Sequence, residues 1–263
     1  MKNKPIILVT GAAGQLGVSL QEEAKNHPHY QWYFYKRKDL DITKPDEVER
    51  VLEELRPTFC INTAAYTNVK QAEFEKQAAR LVNVTAAAHL AKICAYYNTQ
   101  LIHLSTDYVF DGAQAHPYTE DDRPKPVNHY GKTKAEGEAL VLAESENHYV
   151  VRTAWLYAST HGHNFYRSIL SKATAGESLQ VVNDQVGTPT STTQLCAYLL
   201  RLIEKQPQGG IYHCAGETIQ SWYGFAKDIL KAHQLEVPLE EIRTPLTEVK
   251  RPRFSALSTT KRF

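Results

Sequence analysis

A tyrosine and a lysine four positions apart have the side chains needed for acid–base chemistry. Tyr130 and Lys134 lie in a stretch predicted to be a helix, residues 130–143, so both side chains share one helical face. A free phenol has a pKa of about 10 and transfers protons poorly at neutral pH. A nearby ammonium group stabilises the phenolate and lowers that pKa. The pair therefore predicts a general acid or base.

Thr106 supplies a third predicted catalytic group. It follows a predicted strand, residues 100–105. Ligands of open parallel sheets bind at the carboxyl ends of the strands, so the Thr106 hydroxyl is placed to donate to a carbonyl oxygen beside Tyr130. A Tyr-x-x-x-Lys pair alone is common by chance, but with Thr106 and a dinucleotide site it predicts reduction of a ketone by a nicotinamide.

A glycine-rich turn predicts the dinucleotide site. Residues 10–17, TGAAGQLG, follow an apolar strand over residues 5–10 and open a helix expected to continue over residues 18–26. Gly11 permits the turn, and Gly14 lets a pyrophosphate approach the backbone. The N-terminus of the helix, with Gln15 and Leu16, presents free N–H groups to the phosphates.

The second predicted strand, residues 30–35, leads into Lys36-Arg37-Lys38. A site that prefers NAD places an acidic residue at this point, whereas a guanidinium binds a 2′-phosphate through paired N–H groups. We expect NADP(H) with Arg37 as the main contact, and NAD(H) stays open as a second cofactor. A solvated basic turn is the alternative interpretation.

Alternating strands and helices predict an α/β fold, a Rossmann-type doubly wound parallel sheet with a smaller C-terminal substrate lobe. We expect an NADP-binding domain over residues 1–155, to which segments near 188–215 return, and a substrate lobe over 156–187 and 216–263. Thr43 is expected to cap a helix that ends near Leu55. The other predicted helices span residues 73–98, 165–174, 194–204 and 222–233, and the other predicted strands span residues 58–62, 149–155, 179–183 and 210–214.

Composition argues against several classes of protein. The chain has 263 residues, of which 42% are hydrophobic and 22% charged, enough for a large buried core. A net charge of +1 gives no reason to expect nucleic acid or an anionic membrane as a partner. There is no apolar run of about 18 residues, so no membrane span is expected. The four cysteines lie singly in apolar stretches, which favours buried thiols and a cytoplasmic location.

Five segments carry a family resemblance: NTAAYTNV (62–69), STDYVFDG (105–112), RTAW (152–155), NDQVGTPT (183–190) and RPRFSAL (251–257). Together with the G-x-x-G-x-x-G turn, the chain resembles the dTDP-4-dehydrorhamnose reductase family of the extended short-chain dehydrogenase/reductase superfamily. The resemblance covers nearly the whole chain. It implies NADPH-dependent reduction of the C4 ketone of a nucleotide-sugar substrate, dTDP-4-dehydro-L-rhamnose, to dTDP-L-rhamnose.

The resemblance also implies site residues. It places in the sugar pocket Val69, Thr106, Asp107, Tyr108, Tyr130 and Trp155. It places beside the cofactor Asp41, Ile42, Ala64, Ala65 and Tyr66, and it has Lys134 bind the nicotinamide ribose. Arg251 is expected to pair with the diphosphate or to shape the nucleotide end of the site. For Trp155 and Arg251, a core aromatic and a surface ion pair are the alternatives.

Two departures and two other functions complete the expectations. Ser19 and Thr193 stand where some members of the family have glutamates for a magnesium-linked dimer, so we expect no metal, and a monomer or homodimer. An epimerase or dehydratase of the same superfamily stays open, although Asp107 is followed by Tyr108 and not by a second carboxylate. A non-catalytic, NADP-binding regulatory subunit also stays open, although the intact Thr106, Tyr130 and Lys134 set argues against it.

Overall fold

The computed structural model describes residues 4–246 and 248–259; predicted ranges that reach residues 1–3, 247 and 260–263 extend outside them. Its strands are β1 (Ile6–Thr10), β2 (Gln31–Tyr35), β3 (Phe59–Asn62), β4 (Gln100–Thr106), β5 (Tyr149–Thr153), β6 (Leu156–Tyr157), β7 (Leu179–Val182), β8 (Val186–Gly187), β9 (Thr190–Ser191), β10 (Gly210–His213), β11 (Gln220–Ser221) and β12 (Leu239–Ile242). Its α-helices are α1 (Gln15–Glu23), α2 (Pro45–Leu55), α3 (Val69–Ala72), α4 (Lys76–Arg80), α5 (Ala87–Tyr96), α6 (His129–Glu144), α7 (Phe165–Thr174), α8 (Thr192–Lys205) and α9 (Trp222–Ala232).

A six-stranded sheet in the order β10-β5-β4-β3-β1-β2 forms the centre of the molecule, and all its neighbouring strands pair in parallel. Alternate residues of β1 enter different cores: Ile7 and Val9 pack with α1 and α8, whereas Leu8 packs with α2, α5 and α6. A strand buried on both faces must be apolar throughout, which explains the continuous hydrophobic run. The predicted Rossmann-type parallel sheet is confirmed.

A separate apolar core, apart from the two that cover the faces of the central sheet, lies in the C-terminal half. Helices α7 and α9 pack there with β7 and β12, which pair with each other in parallel. Between these elements the chain returns to the central sheet, because β10 pairs with β5. These placements follow the expected pattern of a lobe and a returning segment, and the exact division of the chain into domains stays a prediction. No helix among the described residues has the length and apolarity to cross a membrane.

The prediction of one long helix over residues 73–98 is confirmed for most of its length, since residues 76–96 are helical without a break, but its start and its centre differ. The structure has two short helices, α3 and α4, then a π-helical turn at Leu81–Ala86, then α5. In the π-helical turn the buried Asn83 accepts a hydrogen bond from the Tyr66 backbone N–H at 2.9 Å and donates to the Thr133 hydroxyl at 3.0 Å. The wider turn thus directs Asn83 inward, where it fixes the loop after β3 against α6.

Helix α1 begins at Gln15, directly after Gly14, and ends at Glu23, before the predicted end at residue 26. The start of α2 also differs from the prediction. Thr43 does not cap α2, because Lys44 holds that position and Pro45 opens the helix with its fixed φ. The Thr43 hydroxyl and N–H donate instead to Asp41 Oδ1, at 2.8 and 3.0 Å.

A buried ion pair joins α6 to β5. The Arg152 guanidinium, with no exposed surface, donates from Nη2 to Glu138 Oε2 at 2.7 Å and from Nε to Oε1 at 2.9 Å. The guanidinium carbon also lies 5.0 Å from the centroid of the Phe110 ring. Removal of either charge would leave the other buried without its partner.

We expect Glu138→Ala to lower the free energy of unfolding by about 3–5 kcal/mol, because the Arg152 charge would stay buried and unpaired. Urea-induced unfolding followed by circular dichroism measures this loss. The matched control is Glu136→Ala on the same helix, whose carboxylate pairs with Arg80 at the surface and should contribute at most about 1 kcal/mol. Equal losses in the two variants would contradict the importance of the buried pair.

Candidate active site

A cleft of about 660 Å³ runs along the carboxyl ends of β1, β3 and β4. A volume of this order is typical of a small-molecule site. The cleft is lined by nearly all the predicted site residues: Gly11, Gly14, Gln15, Leu16, Arg37, Asp41, Ile42, Ala64, Ala65, Tyr66, Val69, Thr106, Asp107, Tyr108, Tyr130, Lys134 and Trp155. Residues assigned to a cofactor and residues assigned to a substrate therefore share one continuous space.

The glycine turn forms one end of the cleft. Gly11 has φ +66, and a Cβ there would lie 2.6 Å from the Ala64 backbone nitrogen, so only glycine fits. Gly14 precedes α1 and offers no side chain that could cap the helix. The first N–H groups of the helix have no carbonyl partner within it. The turn therefore presents backbone donors and a partial positive charge to an anion.

Arg37 lies beyond the end of β2 with 82% of its side chain exposed. Its Nε donates to Asp41 Oδ2 at 3.3 Å. Burial alone would raise the pKa of Asp41, but hydrogen bonds from Thr43 and Arg37 hold that pKa below its usual value. Asp41 is thus an anion that holds Arg37 by a single exposed contact, and the guanidinium has room to turn toward a ligand.

Thr106 and Tyr130 meet at the other end of the cleft. Thr106 ends β4, and its hydroxyl lies near enough to the Tyr130 phenol to lower the pKa of that phenol. Tyr130 lies in the first turn of α6, which is capped by Asn128 through its 2.8 Å hydrogen bond from the Gly131 N–H. A Cβ on Gly131 would overlap the Tyr108 carbonyl oxygen. Glycine at this position therefore allows α6 to approach the end of β4 closely enough for the two hydroxyls to meet.

The expectation that Lys134 lowers the pKa of Tyr130 is not met. Burial raises the pKa of the Tyr130 phenol above its usual value, and the nearby Thr106 hydroxyl only partly opposes this. The Lys134 amine is directed elsewhere, since Nζ donates to the Leu104 carbonyl at 2.7 Å and lies 3.2 Å from His103 Nε2. Burial also lowers the pKa of Lys134 to about 8, with Glu138 opposing the shift. The phenol is thus held protonated, the state in which it can donate.

Asp107 lies directly behind Thr106. Its carboxylate accepts from the Thr106 hydroxyl at 3.0 Å and from the Ser255 hydroxyl at 2.5 Å. Burial raises the pKa of Asp107 to about 7, although these hydrogen bonds act in the opposite direction. Ser255 belongs to the C-terminal segment that carried the family resemblance, and it ties that segment to the site.

Arg251 is the one predicted site residue that does not line the cleft. Its guanidinium instead lies near enough to the Tyr108 phenol for its positive charge to act on that group. Burial raises the pKa of Tyr108 to about 12, and the positive charge of Arg251 opposes the shift. Arg251 therefore acts on a residue of the cleft wall through its charge, and its contact with a diphosphate stays a prediction.

Sequence reasoning missed Trp222, which also lines the cleft. Its ring stacks on Trp155 with centroids 3.5 Å apart and planes at 4°. Trp155 has φ +47, and a Cβ on Gly187 would lie 2.6 Å from its ring. The sequence predicted only a helix over residues 222–233, and no local signal marked Trp222 as a cleft residue.

Ser19 and Thr193, where the family resemblance would place glutamates, line a second and smaller cavity of about 240 Å³. The Ser19 hydroxyl lies 3.1 Å from His161 Nε2, a residue that also approaches the backbone carbonyl of Gln15 at 2.9 Å. The predicted absence of a metal stays a prediction.

The fold and the site together define a class of protein. A parallel sheet with a glycine turn after its first strand, and a Thr, Tyr and Lys set in the same cleft, are features of nucleotide-dependent short-chain dehydrogenases and reductases. The chain belongs to the RmlD substrate binding domain family, which it matches over residues 5–262.

The relatives that the chain resembles are named as reductases of dTDP-linked ketosugars. The chain is 38% identical to the dTDP-4-dehydrorhamnose reductase of Aggregatibacter actinomycetemcomitans, over 97% of this chain and 91% of that protein. It is 40% identical to the dTDP-4-keto-6-deoxy-D-glucose reductase of Streptomyces niveus, over 84% and 76%. The crystal structure of dTDP-4-dehydrorhamnose reductase from Bacillus anthracis in complex with NADP superposes with a TM-score of 0.94 at 35% identity, over 98% and 92%.

The raised pKa of Asp107 predicts a pH-dependent stability. A carboxyl whose pKa is higher in the folded protein than in the unfolded chain destabilises the fold as pH rises from about 4 to about 7. We expect Asp107→Asn to gain stability relative to the wild type across this window, by at most roughly 4 kcal/mol. Urea-induced unfolding at several pH values measures the difference.

Asp39→Asn is the matched control, because Asp39 lies on an exposed turn. Its difference from the wild type, measured over the same pH window, is the baseline for Asp107→Asn. A difference in stability between Asp107→Asn and the wild type that does not change with pH would mean that folding does not raise the pKa of the Asp107 carboxyl.

Proposed function

We propose that this protein reduces the C4 ketone of dTDP-4-dehydro-L-rhamnose to give dTDP-L-rhamnose, with NADPH as the reductant. The observation that carries this proposal is one cleft that Thr106, Tyr130 and Lys134 line at one end and the glycine turn with Gly11 and Gly14 lines at the other. The names of the relatives support the same reaction.

The residues of the turn fit a dinucleotide cofactor. A Cβ at Gly11 would collide with the backbone, and the uncapped start of α1 offers N–H donors to a pyrophosphate. Arg37, Asp41 and Ile42 line the same cleft as the glycine turn, which supports a role for Arg37 in binding the 2′-phosphate of NADP and for Asp41 and Ile42 beside the adenosine. When bound, NADPH supplies a hydride to the carbonyl carbon.

The chain's own residues then control the proton and the position of the substrate. Tyr130, held protonated by burial, gives its proton to the alkoxide oxygen that forms on reduction. Thr106 donates a hydrogen bond to the same oxygen when its single proton turns away from Asp107. The stacked Trp155 and Trp222 rings form an apolar wall against which a pyranose can pack.

The alternatives make different predictions. A regulatory subunit would bind NADPH tightly without turnover of any nucleotide-linked ketosugar. An epimerase would interconvert two sugars with no net consumption of NADPH. Since the protein from Streptomyces niveus is named for dTDP-4-keto-6-deoxy-D-glucose, that compound is the second substrate to compare.

We expect Tyr130→Phe to lower kcat for dTDP-4-dehydro-L-rhamnose by about 10²–10⁴, because the alkoxide would lose its proton donor. NADPH absorbance follows the reaction, and NADPH binding should be retained. Tyr97→Phe is the matched control, since that ring packs on Arg56, outside the cleft. Unchanged turnover in Tyr130→Phe would rule out the proposed acid, and a wild type that binds NADPH but reduces neither ketosugar would favour the regulatory function.

We expect Arg37→Ala to raise the KM for NADPH about 10- to 100-fold, since a charge-assisted contact with the 2′-phosphate contributes about 1.5–3 kcal/mol. The KM for NADH, which lacks that phosphate, should change little. Lys38→Ala controls for the general loss of positive charge on this exposed turn. Equal effects of Arg37→Ala on both cofactors would contradict the assigned role.

The four cysteines, Cys60, Cys94, Cys196 and Cys214, are free thiols and all buried. This supports the proposed cytoplasmic location, because a reducing compartment keeps such thiols unpaired. A monomer or homodimer is proposed for the oligomeric state.

A further inference from the structure

A chain of buried polar side chains leads from the first strand of the sheet to Lys134. The Thr10 hydroxyl donates to Asn62 Oδ1 at 2.7 Å, and Asn62 Nδ2 lies 3.0 Å from His103 Nδ1. His103 Nε2 lies 3.2 Å from Lys134 Nζ. At least 98% of each of these four side chains is buried. The contacts therefore exist without competition from water.

The direction of these hydrogen bonds follows from one backbone group. The Ala64 N–H, which can only donate, points at Asn62 Oδ1 at 3.2 Å. The oxygen of this amide therefore faces Ala64 and Thr10, and its NH₂ group faces His103. The NH₂ group must donate to Nδ1, so Nδ1 carries a lone pair. Burial and the Lys134 charge lower the pKa of His103 well below its usual value, so the ring is neutral and its single proton is on Nε2.

An Nε2–H group discriminates between the two charge states of Lys134. An ammonium group has three donors and no acceptor, so it cannot form a hydrogen bond with an N–H. A neutral amine has a lone pair and can accept from His103. The 3.2 Å contact therefore stabilises uncharged Lys134, in the same direction as burial. The other charged group that faces Lys134 is Glu138 on its own helix, and Glu138 is already paired with Arg152 of β5.

We propose that His103, fixed in its Nε2–H form by Asn62, is a positioning residue that lets Lys134 give up a proton during turnover. The inference rests on the proposed reductase activity. Tyr130 gives its Oη proton to the substrate alkoxide and becomes a phenolate. Lys134 lies one helical turn from Tyr130 on α6, so its Nζ can turn from the Leu104 carbonyl toward the phenolate. One proton of the Lys134 ammonium then restores the phenol, and the resulting amine returns to accept a hydrogen bond from His103 Nε2–H. A proton from solvent then returns Lys134 to the ammonium form.

The tautomer is tested in the wild type without any assay of activity. Long-range ¹H–¹⁵N spectra of ¹⁵N-histidine-labelled protein, with His103 assigned from His103→Gln, report which ring nitrogen carries the proton. We expect a protonated Nε2 and an unprotonated Nδ1. A proton on Nδ1, or a doubly protonated ring at neutral pH, would overturn the proposal even if the variants that test Lys134 do not fold.

Two variants test the effect on Lys134. Asn62→Asp replaces the NH₂ donor by a carboxylate oxygen, so His103 moves its proton to Nδ1 and accepts from the ammonium at Nε2. His103→Leu removes the N–H that stabilises the amine. In both variants we expect kcat at neutral pH to fall about tenfold. We also expect the alkaline limb of the kcat profile to move up by about one pH unit, because a tenfold change in rate and a shift of one pKa unit correspond to the same free energy.

The controls separate this role from a structural one. NADPH affinity should be unchanged, His103→Gln should restore part of the rate because its amide can still donate, and Asn147→Asp at an exposed site should match the wild type. A fall in kcat with no movement of the alkaline limb would overturn the proposal. A wild type with the expected tautomer but no reductase activity would instead refute the proposed function.

Discussion

The close approach of α6 to the carboxyl end of β4 is the constraint on which the site depends. Gly131 makes the approach possible, because any Cβ there would overlap the Tyr108 carbonyl oxygen. The buried Glu138 and Arg152 pair fixes the same helix to β5. With the helix held in this way, Tyr130 reaches Thr106, and one turn later Lys134 reaches the end of β4. A small residue and an ion pair thus bring groups that are distant in sequence to the same place.

Burial then sets the protonation of these groups. It raises the pKa of the Tyr130 phenol, raises that of Asp107 to about 7 and lowers that of Lys134 to about 8. All three shifts favour the uncharged form, as expected where water is excluded. A protonated phenol suits the reductive direction, in which the enzyme must supply a proton to a new alkoxide. The same low-polarity surroundings strengthen each hydrogen bond that the substrate oxygen receives.

Local patterns in the sequence were enough to predict the sheet, the glycine turn and the three catalytic candidates. Each depends on short-range features, such as an apolar strand before Gly11 or the four-residue spacing from Tyr130 to Lys134. The π-helical turn was missed because Asn83 is drawn inward by partners on other elements. The position of His103 inside an apolar strand gave no sign of a contact with Lys134. The direction of the Tyr130 pKa was also wrong, because spacing cannot show where an amine points.

The most direct measurement of the central constraint is kcat for Gly131→Ala with dTDP-4-dehydro-L-rhamnose. Circular dichroism and NADPH binding would establish that the variant is folded and that the glycine turn is intact. The account predicts a loss of at least about 100-fold, since misplacement of a catalytic group by about 1 Å has effects of this size. An unchanged kcat in a folded variant would show that the close approach of α6 to β4 is not what makes the site.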